Sequence, residues 1–386
     1  MSEFAQTRFL EAVAELVPSI RQDALQRDAQ IAFPQAEFTA LSERGLLTAT
    51  LPESRGGLGL GHGAQGAAGL LRLFILLGQA SLPVARLFEA HVNALQLIER
   101  YGTAQMAETA ARDAAQGHLF ALWVTDPFDA KLAMKPLGES FVLQGGKAFC
   151  SGAGRATRAL ITAALDTETR MLIVPLEPGA RVLPSPIKLG GMRAAITGSV
   201  DFSGMVVATD ALLGADGDYL REPVFSAGAW RGSAAALGGL TALVELHRNE
   251  LQSRRRDADP HQRARFGQLL IALETANLWM REAALRGCLE DAPPEEIVAY
   301  INLARLAVET ACLDALRLTQ RSLGLGAFIA GSQAELLCRD LATYLRQPAP
   351  DETLDKAAGY YFNAPLRSGA ELDLSRGDGG ADAGAE

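Results

Sequence analysis

Hydrophobic positions in the first 120 residues recur at three- and four-residue spacing. Phe9, Leu10, Val13, Leu16 and Val17 fall on one helix face. Phe33-Pro34 restarts the chain, and Phe38, Leu41 and Leu46 make a second short stripe. Pro52 to Gly61 is glycine-rich and reads as a loop. Helical spacing resumes at Ala64 and stops at Gly102, and a further helical stretch ends near Gly117. From Leu119 the pattern changes to short runs rich in β-branched and aromatic residues: Phe120–Val124, Ser140–Leu143, Ala159–Ala164, Arg170–Val174 and Ser199–Val207. Gly, Pro and Asp separate them, which predicts a compact antiparallel β domain. Beyond Trp230 the spacing is helical again over Ala234–Leu251, His261–Leu289, Pro294–Leu325 and Ser332–Leu345. Pro260 closes the polar connection that begins at Arg254 and suits a first helical turn. Short connections make these helices antiparallel neighbours, so a four-helix bundle is predicted. The expected fold class is α+β. It has an N-terminal all-α domain (1–118), a middle antiparallel β-barrel or sandwich (119–228) and a C-terminal helical bundle (229–374). The tail, 375–386, offers almost nothing to bury and is expected to be disordered.

Composition narrows the classes of function. A chain of 386 residues predicts about two to three domains, and 48% hydrophobic with 21% charged residues excludes intrinsic disorder. A formal net charge of −9 argues against a general nucleic-acid binder. Cys150, Cys288, Cys312 and Cys338 form no CxxC pair, so reduced thiols are expected rather than a disulfide framework or a zinc site. No His or Cys spacing suits a metal. Met1 to Phe4 lacks a basic segment followed by an apolar run. The most apolar stretch, Gly69 to Gly78, contains Arg72 and is too short to span a bilayer. A soluble cytoplasmic protein without a membrane partner is expected. No GxSxG elbow is present, so a serine hydrolase is not supported. Gly57 to Gly61 and Gly324 to Gly326 lack GxGxxG spacing inside a βαβ unit, which disfavours a dinucleotide-binding Rossmann domain.

Four segments carry a resemblance to the acyl-CoA dehydrogenase family, over roughly Phe33 to Arg346. The most specific runs from Phe33-Pro34 through Gly45-Leu46 to Leu51-Pro52-Glu53-Ser54-Arg55-Gly56-Gly57-Leu58-Gly59. The second joins His91 and Tyr101-Gly102-Thr103 to the run ending in Thr125-Asp126-Pro127, similar to the family's TEP strand. The third is Gly145-Gly146-Lys147-Ala148-Phe149-Cys150-Ser151, and the fourth is Arg321 to Phe328 followed by Arg339-Asp340. The resemblance implies FAD held between the β domain and the bundle of a homodimer or homotetramer. It implies that Thr125 bonds the flavin ring, that Ser151 donates near N5 and that Phe149 stacks on the isoalloxazine. It further implies that Arg256, or a neighbour in Arg254-Arg255-Arg256, reaches the pyrophosphate across a subunit contact. Gly324 would approach the partner's cofactor, with Arg321 near the adenine end. Asp126 is read as structural and His91 as a buried, helix-packing histidine.

The implied reaction is α,β-dehydrogenation of an acyl-CoA or related thioester. Hydride passes to flavin N5, an electron-transfer flavoprotein serves as a possible acceptor, and fatty acid metabolism is the setting. That chemistry needs a carboxylate within reach of the substrate α-carbon. The family's two base positions match Pro348 and Trp230 here, and neither is a carboxylate. Asp351 and Glu352 lie just past the first, in a stretch that two prolines predict to be stiff and extended. Either could serve as the base, and Asp351 could equally cap a helix before Leu354. By resemblance, Arg231 sits beside the acyl pocket and supports the base-bearing loop. Phe128-Asp129-Ala130-Lys131 replaces the small residues that usually follow the TEP strand, and Arg321 and Leu325 replace Gln and Gly. Arg263 to Phe266-Gly267 echoes a further family segment at a shifted position. Two alternatives follow: a flavin monooxygenase of the same fold, which does not require that base, or a catalytically silent acyl-binding or assembly subunit.

Overall fold

The computed structural model describes residues 3–128, 130–184, 188–289, 292–346 and 349–364. The expected disordered tail and Pro348 lie outside the described residues. Six helices come first: α1 (Glu3–Ala14), α2 (Val17–Gln30), α3 (Gln35–Ser42), α4 (Gly63–Ala80), α5 (Leu82–Tyr101) and α6 (Ala104–Ala115). Strands follow: β1 (Phe120–Trp123), β2 (Ala133–Leu137), β3 (Ser140–Gln144), β4 (Gly146–Cys150), β5 (Arg158–Leu165), β6 (Glu168–Pro175), β7 (Val182–Leu183), β8 (Gly198–Asp201), β9 (Val206–Ala208) and β10 (Leu212–Leu213). The chain closes with α7 (Val224–Ala227), α8 (Trp230–Ser253), α9 (Pro260–Arg286), α10 (Pro294–Leu323), α11 (Gln333–Tyr344) and α12 (Pro350–Asn363). The architecture is therefore the expected α+β sequence of helices, curled sheet and helices. Among the described residues no helix is long and apolar enough to cross a membrane.

The strands form two sheets, ordered β10-β6-β5-β2-β3-β9 and β4-β8-β7. The expectation of a purely antiparallel domain is corrected at one place. β1 pairs β5 in parallel, Phe120 opposite Arg158 through Trp123 opposite Ile161, and β2 adds a single parallel bridge to β5. The cause is that β1 arrives from the helical region rather than from a hairpin. Its first residue is fixed from α5, because Phe120 N–H donates to His91 Nδ1 at 3.1 Å and His91 Nε2 donates to Leu47 O at 2.8 Å. His91 is fully buried, as expected. Ser199–Val207 is not one strand but β8 and β9, placed in different sheets by the turn at Phe202 to Met205.

The helical parts share one core, with Phe74, Leu77, Leu237 and Leu240 among its buried residues. α4 and α8 cross almost backbone to backbone. A Cβ added at Gly78 would stand 2.1 Å from Ala235 O, and one at Gly238 would stand 2.3 Å from Ile75 O. The bundle contains α12 in addition to the four predicted helices. The segment expected to be extended is helical from Pro350, because proline's fixed φ and missing N–H suit a first turn. α11 is tied to the sheet region by Asp340, which accepts from Met192 N–H at 2.7 Å, and by Arg339, which donates to Gly190 O at 2.7 Å and to Asp28 at 2.7 Å.

Candidate functional site

A cavity of about 1020 Å³ lies where α5, α8, α10, α11 and α12 converge. It is at the upper end of the size range for small-molecule sites. α5 contributes Glu89, Asn93 and Gln96, at i, i+4 and i+7 on one face. α8 contributes its first residues, Trp230 to Ser233. α10 contributes Asn302 and Arg305, α11 Tyr344, and α12 Glu352 and Lys356.

The electrostatics are set by two arginines in different circumstances. Glu89 is buried and accepts from Arg86 Nη1 at 2.9 Å and from the Tyr344 hydroxyl at 3.1 Å. Burial, reinforced by Glu89, pushes the Tyr344 phenol well above the usual range, so it stays a neutral donor. Arg86 is raised by that same carboxylate. Arg231 instead donates from Nε to Asn93 Oδ1 at 2.7 Å and from Nη1 to Gln96 Oε1. Burial pulls it down to about 10, which leaves it a cation at neutral pH. Gly228 makes room for it, because a Cβ there would stand 2.2 Å from Arg231 Nη2.

The sequence-predicted residues fall into three places. Arg231 and Glu352 both line the cavity, whereas Asp351 does not. Both carboxylates are exposed in the first turn of α12. Trp230 is buried at the start of α8 and forms part of the wall. Thr125, Phe149 and Ser151 come together beyond the end of β1. Ala148 N–H donates to Thr125 O at 2.9 Å, and Trp123 Nε1 donates to Ser151 O at 2.9 Å. Leu122, three residues before Thr125, lines the cavity, so this cluster starts within about 10 Å of it. Buried Lys147 pins the cluster, donating to Asp126 at 2.6 Å, Val124 O at 3.2 Å and Thr162 at 3.1 Å. This gives Asp126 the structural role expected of it. Phe149 holds a left-handed φ of +54° and is 52% exposed as a residue. An exposed ring beside exposed Thr125 is a surface suited to a flat aromatic ligand.

The remaining three residues lie elsewhere. Arg256 is in the connection after α8, and Arg321 and Gly324 are at the end of α10. These segments touch, with Arg254 3.4 Å from the place a Gly326 Cβ would take, and Gln262 bonded to Ser322. Arg256 and Arg321 are exposed, and Gly324 adopts φ +59°. α8 has 24 residues, so this end lies about 36 Å from Trp230. Among the described residues no hydrogen bond or ion pair joins them to Thr125, Phe149 or Ser151.

Sequence reasoning missed Glu89, Asn93, Gln96 and Tyr344. The available signal was the polar stripe at 89, 93 and 96, on one helix face beside the apolar face of α5.

Residues 4–118 match the family model described as acyl-CoA dehydrogenase, N-terminal domain. The chain superposes on butyryl-CoA dehydrogenase from Megasphaera elsdenii with a TM-score of 0.82, covering 94% of this chain and 99% of that one at 17% identity. The chain has the acyl-CoA dehydrogenase fold. Within that fold it also superposes on TdsC from Paenibacillus sp. A11-2, solved with FMN and indole, with a TM-score of 0.83 at 21% identity, covering 92% and 97% of the two chains. In sequence it is 26% identical over 253 residues to the amino sugar nitrososynthase DnmZ of Streptomyces peucetius, 63% of this chain and 62% of that protein. It is 26% identical over 306 residues to a dibenzothiophene monooxygenase of Rhodococcus qingshengii, covering 68% and 69%.

Proposed function

We propose that this acyl-CoA dehydrogenase-fold chain is a flavin-dependent monooxygenase acting on a small molecule held in the cavity lined by Arg231. The observation that carries the reading is the state of the cavity's carboxylates. Glu89 accepts from Arg86 and Tyr344, both on Oε2, Glu99 is paired with Arg55 at 2.8 Å, and Glu309 with Arg346 at 3.2 Å. Glu222 accepts from Ser226 N–H at 3.0 Å. At one of the two base positions stands Trp230. Dehydrogenation needs a carboxylate held against the substrate α-carbon, and oxygen transfer does not. The nitrososynthase and the dibenzothiophene monooxygenase support the same direction.

Thr125, Phe149 and Ser151 fit the ring of a flavin, through a hydroxyl, an exposed aromatic face and the backbone around them. Reduced flavin supplies the electrons that split dioxygen, so that one oxygen atom enters the substrate and the other leaves as water. The chain's part is to hold the substrate and exclude water, with Trp230 and Leu122 as apolar wall and Tyr344 as a neutral donor. FMN is favoured over FAD by the TdsC complex; Arg256 is then proposed to reach the FMN phosphate in a neighbouring copy's site, while the adenine-end roles implied for Arg321 and Gly324 apply only if FAD is bound.

A second reading, acyl-CoA dehydrogenation, is favoured by one observation: Glu352 lines the cavity. The test begins with FMN and FAD binding, followed by fluorescence titration. Acyl-CoAs are then added anaerobically to the flavin-loaded protein, and indole or dibenzothiophene is supplied with reduced flavin in air. Oxygenated product without anaerobic bleaching is expected, and Glu352→Gln should retain activity within about threefold. Bleaching by an acyl-CoA that Glu352→Gln abolishes would install the dehydrogenase instead. Failure to bind either flavin would leave the assembly-subunit reading.

A further inference from the structure

Charge in the cavity is unevenly satisfied. Apart from exposed Glu352, each lining carboxylate already has a donor, as set out above. Arg231 does not have the converse. Its two recorded acceptors, Asn93 and Gln96, are amide oxygens, and no carboxylate among the described residues lies within 4.0 Å of it. The acid that acts on it most, Glu89, makes its recorded bonds to Arg86 and Tyr344 through Oε2 and none to Arg231. An amide oxygen orients a guanidinium without cancelling its charge.

The geometry of the contacts adds a direction. A guanidinium has five N–H donors, and Asn93 and Gln96 take one on Nε and one on Nη1. The outer edge, with the second N–H of Nη1 and both of Nη2, has no recorded acceptor among the described residues. That edge is a planar fork of the kind that takes two oxygens of one anion. Nη2 packs against Gly228, where any Cβ would stand 2.2 Å from it, so the guanidinium is fixed in place by backbone as well as by the two amides. A half-buried cation that is oriented by amides and has no carboxylate partner is a ready seat for an anion.

We infer that Arg231 is an anion receptor and that the natural substrate carries a carboxylate, seated on the outer fork with its apolar body against Leu122, Trp230 and Val298. The one fork on Arg231 matches the two oxygens of a carboxylate. The inference rests on this cavity being the substrate pocket, and it assigns the chemical class of that substrate.

The test uses the full-length protein without flavin or oxygen. Binding of 2-naphthoate and of its neutral counterpart 2-naphthamide is measured by titration calorimetry, on wild type, Arg231→Gln and Arg231→Lys. Wild type is expected to bind the acid at least about tenfold more tightly than the amide. Arg231→Gln should lose that preference while holding the amide within about twofold. Arg231→Lys should recover part of it, since it restores the charge but not the fork. Circular dichroism establishes folding, and if Arg231→Gln does not fold, the wild-type pair and the lysine variant decide. Equal affinity for acid and amide in wild type overturns the inference, as does an acid preference that persists in folded Arg231→Gln. The first result leaves the monooxygenase reading standing with a neutral substrate, the second with an acid held by a group other than Arg231, and failure of flavin turnover leaves this measurement intact.

Discussion

His91 shows how one buried side chain can fix both a structure and its pH response. Its Nε2 donates to Leu47 O and its Nδ1 accepts from Phe120 N–H, so only the neutral ring fits. Burial lowers its pKa from 6.5 to about 4, and burial also lowers His247 to about 4. Both are depressed relative to the unfolded chain, which therefore binds more protons between those values. Stability from these groups is present above about 6.5 and is lost as pH falls toward 4. Asp340 opposes this, because burial raises its pKa from 3.8 to about 6 and its contribution is lost as pH rises through that value. Each shift is worth about 3 kcal/mol, so the net loss between pH 6.5 and 4 is about 3 kcal/mol. Urea midpoints at pH 7.5 and pH 4 check this, and equal midpoints would exclude it. His91→Leu should cost about 2–4 kcal/mol at pH 7.5, because it strands a buried carbonyl and a buried N–H, and should remove part of the acid sensitivity. Phe149 makes a contrast. Its ring is exposed, so Phe149→Ala should scarcely change the urea midpoint yet weaken flavin binding about tenfold, as read by flavin fluorescence.

At the scale of elements, the crossing of α4 and α8 holds the cavity wall in place, because α8 begins with Trp230 and Arg231. At Gly238 an added methyl meets backbone of α4, which cannot swing aside as a side chain could. Gly238→Ala should cost at least about 3 kcal/mol or prevent folding. Gly359 in α12 has nothing within 4 Å of an added Cβ, and Gly359→Ala should gain up to about 1 kcal/mol. Thermal melts of the pair separate packing from propensity. The long helices were legible in the sequence because burial on one face repeats every three or four residues. β2 was not, since Lys135 and Pro136 lie inside it and its pattern has only one buried position. β7 and β10 have two residues each, too few to make a pattern. Of the two readings of the segment at Pro350, the helix before Leu354 is the one observed, but it opens at Pro350 with Ala349 at the N-cap, so Asp351 lies in its first turn rather than capping it. That Thr125, Phe149 and Ser151 lie on adjacent segments was legible because two short local stretches carry them. The Arg231 environment was not, because Asn93 and Gln96 lie more than 130 residues from it in sequence and meet it only through the packing of α5 on α8.

At the scale of the whole molecule, two sets of cofactor candidates sit at opposite ends of α8. Thr125, Phe149 and Ser151 lie near the cavity, and Arg256, Arg321 and Gly324 lie about 36 Å away along the helix. Both sets can serve one cofactor only if the bundle end of one copy meets the sheet region of another. The surface has what such a meeting needs. Leu270, Ile271 and Leu278 are exposed on α9, and Leu325, Phe328 and Ile329 are exposed beside Arg254 and Arg321. Apolar groups clustered on a surface mark an interface more often than chance exposure does. A homodimer or homotetramer is therefore expected in sedimentation at micromolar concentration. Ile271→Glu with Leu278→Glu should shift it toward monomer, because two charges would be buried without partners. The same double variant should bind flavin at least about tenfold more weakly while keeping its circular dichroism spectrum, because the second copy's arginines would no longer be present. A monomer that binds flavin as tightly as the parent would show that one chain completes the site, and would assign Arg256 and Arg321 to the solvent.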